Sequence, residues 1–144
     1  MTHLDLMKTH KRTYAAAGAF EFAARSGLDR RTRLLIELRA SFLNKCSFCI
    51  GMHSDEALKH DFGQDWIDAI RDWTPGSTGT HFSASDDLIL AFTTAGTRLS
   101  EDADFDVELQ ERVIEEFGEK TTGALISEIA AINMWNRLGV LSQK

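Results

Sequence analysis

The sequence predicts an all-α fold of about six to seven helices. Three observations carry this reading. Apolar residues recur at three- and four-residue spacing through most of the chain. No long period-2 alternation and no Asn-Gly hairpin signal interrupts that pattern. Pro75 is the single proline, so little in the chain stops helices from running on. At 144 residues the chain is long enough to bury its own core. No repeat, linker or low-complexity tract divides it, so residues 1–144 are expected to form a single domain.

The elements follow in order. A first helix is expected from about Leu4 to Arg25, with Ala15, Ala19, Phe22 and Ala23 on one face, ending at Ser26-Gly27. A second starts near Asp29 and carries "RTRLLIELRASFL". The basic run "RSGLDRRTR" between them has Glu21, Asp29 and Glu37 close by and reads as a solvated helix end. A third helix begins around Cys46 and reaches about His60. "GQDWIDAIRDW" forms a short fourth, stopped by Thr74-Pro75. The stretch "TPGSTGTHFS" at 74–83 reads as a loop. Ser85 then looks like an N-cap, with Asp86 and Asp87 in the first turn of "DDLILAFTTAGTRL". "DVELQERVIEEFG" is amphipathic and closes at Gly118. The last helix, "TTGALISEIAAINMWNRLGV", is mostly apolar and belongs in the core or an interface.

Composition excludes several functions. Net charge is −6 and pI is near 5.3, the wrong sign for a phosphate-binding surface, so no nucleic-acid partner is expected. No apolar stretch approaches a membrane span, and no membrane association is expected. Polar residues interrupt the N-terminal segment every few positions, unlike a secretory signal, which points to the cytoplasm. In that compartment paired cysteines are catalytic or metal-binding more often than structural.

The chain's two cysteines stand in "NKCSFCIGMHSDEALKH", residues 44–60. Asn44 and Ser47 suit a helix start, so Cys46 falls in or just before the first turn and Cys49 inside it. Unpaired backbone N–H groups and the helix dipole favour a thiolate there. On a helix, Cys46, Cys49 and His53 lie within about 60° of one another. They form a nucleophile, a resolving thiol and a base. Two plainer readings stand beside this one. Cys46, Cys49, His53 and His60 are zinc ligands by residue type, but one short helix cannot easily wrap a tetrahedron. The cysteines can also serve as small buried hydrophobes.

Glu37, inside "LLIELRASF", has two readings. Buried, it would have a raised pKa and suit a base. In the stripe Arg30, Arg33, Glu37, Ser41, Asn44 it would be an exposed partner of Arg33. His60 reads as a C-terminal cap. Phe48, Met52, Trp66, Trp73 and Phe82 are core or pocket-lining. Asn133, Asn136 and Arg137 would cap neighbouring chain ends or pair across an interface.

"ELRASFLNKCSFCIGMHSDEALKHD" resembles the core motif of the carboxymuconolactone decarboxylase / AhpD-like superfamily, the alkylhydroperoxidase D-like proteins. "IAAINMWNRLGV" is similar to the last core helix of its small members. The resemblance runs from about Arg31 to Val140. It implies an all-helical subunit in a homo-oligomer, often a hexamer built as a trimer of dimers, and otherwise a dimer or trimer. It implies a thiol-dependent peroxidase or disulfide oxidoreductase with no cofactor and no metal. Cys49 would attack the peroxide or disulfide substrate and Cys46 would resolve. His53 would belong to a proton relay with a glutamate and water. A lipoylated or thioredoxin-like dithiol would act as reductant. Two departures from the family pattern stand out. Phe48 replaces a histidine before the second cysteine, which implies weaker peroxidase activity. Leu34 occupies the place of the relay glutamate, and Glu37, one turn on, is the acid nearest to it. The family's decarboxylase branch acts on a lactone without this cysteine pair. A redox sensor whose oligomer contacts shift on oxidation is a third function open to such a chain.

Overall fold

A computed structural model describes residues 3–77, 80–101 and 104–144. Among these residues the structure is all-helical, with seven helices and no strand. They are α1 (Leu6–Thr9), α2 (Lys11–Arg25), α3 (Arg30–Leu43), α4 (Ser47–Lys59), α5 (Gln64–Asp72), α6 (Ala84–Thr97) and α7 (Val107–Leu141).

The centre is α3, which packs against α4, α5, α6 and α7. Every residue from Arg33 to Ser41 is buried. A helix surrounded on all sides has no polar face, and Leu34, Leu35, Ile36 and Leu38 are completely enclosed. The C-terminal part of α7 lies beside it, contributing Leu125, Ile129 and Ile132 to the same core. Trp66, Trp73 and Phe82 belong to this core as well.

Several sequence expectations are corrected. The first helix is two. Asp5 caps α1 by accepting from the Met7 and Lys8 amides, and His10 leaves the helical region at φ −135°, ψ 59° before α2 begins. The face of α2 turned inward carries Tyr14, Ala17, Glu21 and Ala24, whereas Phe22 is 79% exposed. Counting apolar residues missed that face because it includes a carboxylate. The basic run is solvated only in part, at Arg25 and Arg30. Arg33 is buried, and Arg31 makes a bidentate pair with Asp86 at 2.6 and 2.8 Å, tying α3 to α6. Ser83, not Ser85, caps α6. Its hydroxyl accepts from the Asp86 amide and Asp86 accepts from the Ser83 amide, a capping box. Of the expected loop at 74–83, residues 78 and 79 lie outside the described set.

Gly118 breaks α7 as expected. Its φ of 82° and ψ of 165° lie outside the helical region, and the chain resumes as a helix beyond it. His60 is the C-cap of α4 and is exposed.

Candidate active site

The site starts where α3 stops. Asn44 is the C-cap, and Lys45 turns the chain with a left-handed φ of 55°. The Asn44 side-chain amide donates to Asn133 Oδ1 and Asn136 Oδ1, both at 2.9 Å. Asn136 donates to Ser41 Oγ, and Asn133 to Thr97 Oγ1, each at 3.1 Å. The asparagines of α7 thus fasten the α3–α4 corner inside the subunit, through side chains and not through backbone groups at a neighbouring chain end. Cys46 N–H then reaches back to Ser41 O at 3.1 Å.

Cys46 is the N-cap of α4 and Cys49 lies in its first turn. They form a disulfide with Cα atoms 5.2 Å apart, within the ordinary range for such a bond. Gly139 of α7 backs it. A Cβ on that glycine would stand 2.9 Å from Cys46 Sγ and 3.6 Å from Cys49 Sγ. The two sulfurs differ in access. Cys49 lines a cavity of about 570 Å³, and Cys46, 1% exposed, lies behind it. Phe48, Met52, Trp135 and Leu138 supply much of the apolar wall of this cavity.

One turn after Cys49, His53 is buried on α4, with Nδ1 3.5 Å from Glu37 Oε1 of α3. Glu37 is 2% exposed, which overturns its reading as a surface partner of Arg33. Arg33 is nonetheless its partner inside the protein. Nη1 donates to Glu37 at 2.7 Å and to Glu56 at 3.0 Å, while Nη2 donates to Glu56 at 2.6 Å. Burial pushes the Glu37 carboxyl up to about 7, against the downward pull of Arg33. Burial also pushes His53 down to about 4, so its imidazole is neutral at neutral pH. Glu56, held by the Arg33 hydrogen bonds, stays below its ordinary value.

Glu37, Cys46, Cys49 and His53 therefore lie at one locus, at the packed junction of α3, α4 and α7. His60 is not part of it. In the disulfide form neither sulfur is a thiolate ligand for a zinc ion. Glu37, His53 and Glu56 bring ligand atoms within 4.8 Å of one another, but Arg33 already supplies their cation. Sequence reasoning passed over Arg33 as a buried clamp, and Glu56, Gly139 and Glu128 altogether. Glu56 was visible as an acid three residues after His53 on one helix face. Glu128 was visible as a lone acid between Leu125 and Ile129 in an apolar helix.

Comparison with known proteins agrees with this architecture. The sequence pattern of the carboxymuconolactone decarboxylase family matches residues 9–78. The uncharacterized protein YdfG of Bacillus subtilis (strain 168) is 30% identical over 120 residues, covering 83% of this chain and 79% of that protein. The crystal structure of a protein of unknown function from Agrobacterium tumefaciens, with a suggested role in antioxidant defence as AhpD, is also similar. It superposes with a TM-score of 0.91 at 27% identity, covering 100% of this chain and 97% of that one. On its sequence, its fold and its paired cysteines, the chain belongs to the carboxymuconolactone decarboxylase family.

Proposed function

We propose that the protein is a thiol-dependent peroxidase and disulfide oxidoreductase working through Cys46 and Cys49. The observation that carries this is the Cys46–Cys49 pair at the start of α4, open to a cavity on the Cys49 side and flanked by His53 and Glu37.

In the dithiol form, His53 takes the Cys49 proton directly or through a water, with Glu37 stabilising the imidazolium. The Cys49 thiolate attacks the outer oxygen of a hydroperoxide. The O–O bond breaks, the alkoxide takes a proton from the His53–Glu37 pair, and Cys49 becomes a sulfenic acid. Cys46 then attacks the Cys49 sulfur, releasing water and closing the disulfide. A dithiol donor restores both thiols and becomes a disulfide itself. With a disulfide substrate, Cys49 forms the mixed disulfide and Cys46 resolves it.

Accessibility supports the assignment of roles, because the attacking thiol faces the cavity and the resolving thiol lies behind it. A lactone decarboxylation would have no use for this pair. The test is steady-state consumption of an organic hydroperoxide with dihydrolipoamide as donor. Turnover is expected in wild type and none in Cys49→Ser. A Cys49→Ser variant as active as wild type would refute the proposal. Lactone decarboxylation that survives loss of both cysteines would replace it.

A further inference from the structure

The mechanism leaves a buried acid without a partner unused. Glu128 of α7 is completely buried, and neither carboxylate oxygen meets a hydrogen-bond donor. It lies with Glu21 of α2 and Glu37 of α3, the carboxylate oxygens of all three within 4.8 Å of one another. Two guanidinium groups serve this region. Arg33 is committed to Glu37 and Glu56, and Arg25 stands 4.0 Å from Glu21. From α4, His53 and Glu56 face the same locus, and from α7 the Trp135 indole faces Glu21. Nothing among these neutralises Glu128. An ionised carboxylate with no donor and no countercharge is among the costliest groups to enclose in a fold.

We propose that Glu128 is a neutral carboxylic acid that donates its hydrogen bond to Glu37, making it a positioning residue for the His53–Glu37 relay. The proton removes the cost of enclosure and turns an acceptor-only group into a donor beside the relay carboxylate, with Glu21 equally near. Burial, followed by the charges of Glu37 and Glu21, pushes Glu128 up to about 10, so it stays protonated where Glu37 titrates. The hydrogen bond favours the ionised form of Glu37, opposing the effect of burial and keeping that carboxyl near neutrality. A carboxylic acid held neutral by an apolar site so that it can donate is an established catalytic device. Glu128 touches neither substrate nor sulfur in this scheme. It acts through Glu37.

The protonation state stands by itself, whereas the kinetic consequence rests on the thiol chemistry proposed above, and the experiment separates them. Infrared spectra of the full chain are recorded at about pH 8.5, where ordinary carboxyl groups are ionised. Wild type is expected to show the carbonyl band of a buried protonated carboxyl, and Glu128→Gln to lack it. If no such band is lost, Glu128 is ionised and the proposal fails. A stoichiometric divalent cation carried by purified wild type and absent from Glu128→Gln would also overturn it, because Glu128 would then be a ligand. The pH dependence of Cys49 oxidation in the reduced protein tests the positioning role. Glu128→Gln keeps a donor and should retain the wild-type profile. Glu128→Leu should lose rate several-fold at neutral pH and recover it at higher pH. Matching profiles in the two variants would reduce Glu128 to a neutral filler. Absence of any thiol oxidation would refute the proposed function while leaving the infrared result to decide the protonation state.

Discussion

At the residue scale, the site couples a neutral histidine to a carboxyl poised near neutral pH. His53 is pushed down to about 4 and Glu37 up to about 7, so Glu37 is the group that titrates in the working range. The proposed relay needs Glu37 ionised, so Cys49 reactivity should rise with pH through about 7. Glu37→Gln should flatten that limb while the fold survives, because Arg33 keeps its two bonds to Glu56. Alkylation rates of the reduced protein measured against pH would check this. Gly139 makes a second prediction. Its missing Cβ leaves room for Cys46 Sγ, so Gly139→Ala should destabilise the oxidised protein by about 1–3 kcal/mol, as overpacking does. Denaturant unfolding of the disulfide form would show it. The cysteine pair and His53 were legible in the sequence because their spacing puts them on one helix face. Glu37 was legible as a candidate whose burial was undecided. Gly139 was not, since its role depends on how α7 crosses the start of α4.

At the element scale, helix ends do much of the positioning. Ser83 caps α6 in a reciprocal capping box, whereas Ser85 is half-buried and bonds Glu116. Ser83→Ala should therefore cost about 1 kcal/mol and Ser85→Ala only a few tenths, measured by thermal or urea unfolding. Either serine suits a cap by residue type, and the capping box decides between them. Asn136 is completely buried and joins Asn44 to Ser41, so Asn136→Ala should cost about 1–3 kcal/mol by leaving buried partners unsatisfied. The same variant should loosen the Asn44–Cys46 corner that presents the disulfide. The α2 face shows why sequence periodicity fails in places. Glu21 points inward with Ala17 and Ala24, so an apolar count chooses the wrong side. That carboxylate lines the cavity onto which Cys49 opens.

At the scale of the whole molecule, the buried acids and His53 set opposite limits on stability. Glu37 and Glu128 bind their protons more tightly folded than unfolded, so the stability they lend is present at low pH and lost as pH rises. For Glu128 the loss continues to about 10. His53 binds its proton less tightly folded than unfolded, so its contribution is full above about 6.5 and is lost as pH falls towards 4. Above neutral pH, wild type should therefore lose on the order of 1 kcal/mol per pH unit through Glu128, and Glu128→Gln should not. Thermal unfolding across that range tests the sign. The all-α class was readable from periodicity because tertiary packing here rarely opposes it. The enclosure of α3 was not, because its polar residues Arg33, Glu37, Arg39 and Ser41 are buried by long-range partners such as Glu56, Thr94 and Asn136.

The proposed mechanism has Cys49 attacking and Cys46 resolving. It is tested most directly by counting thiols before and after one equivalent of peroxide in wild type, Cys46→Ser and Cys49→Ser. Wild type is expected to lose two thiols to one intramolecular disulfide, Cys46→Ser to stop at a trappable sulfenic acid, and Cys49→Ser not to react. Survival of both wild-type thiols in excess peroxide would contradict it and leave the pair a structural feature of the fold.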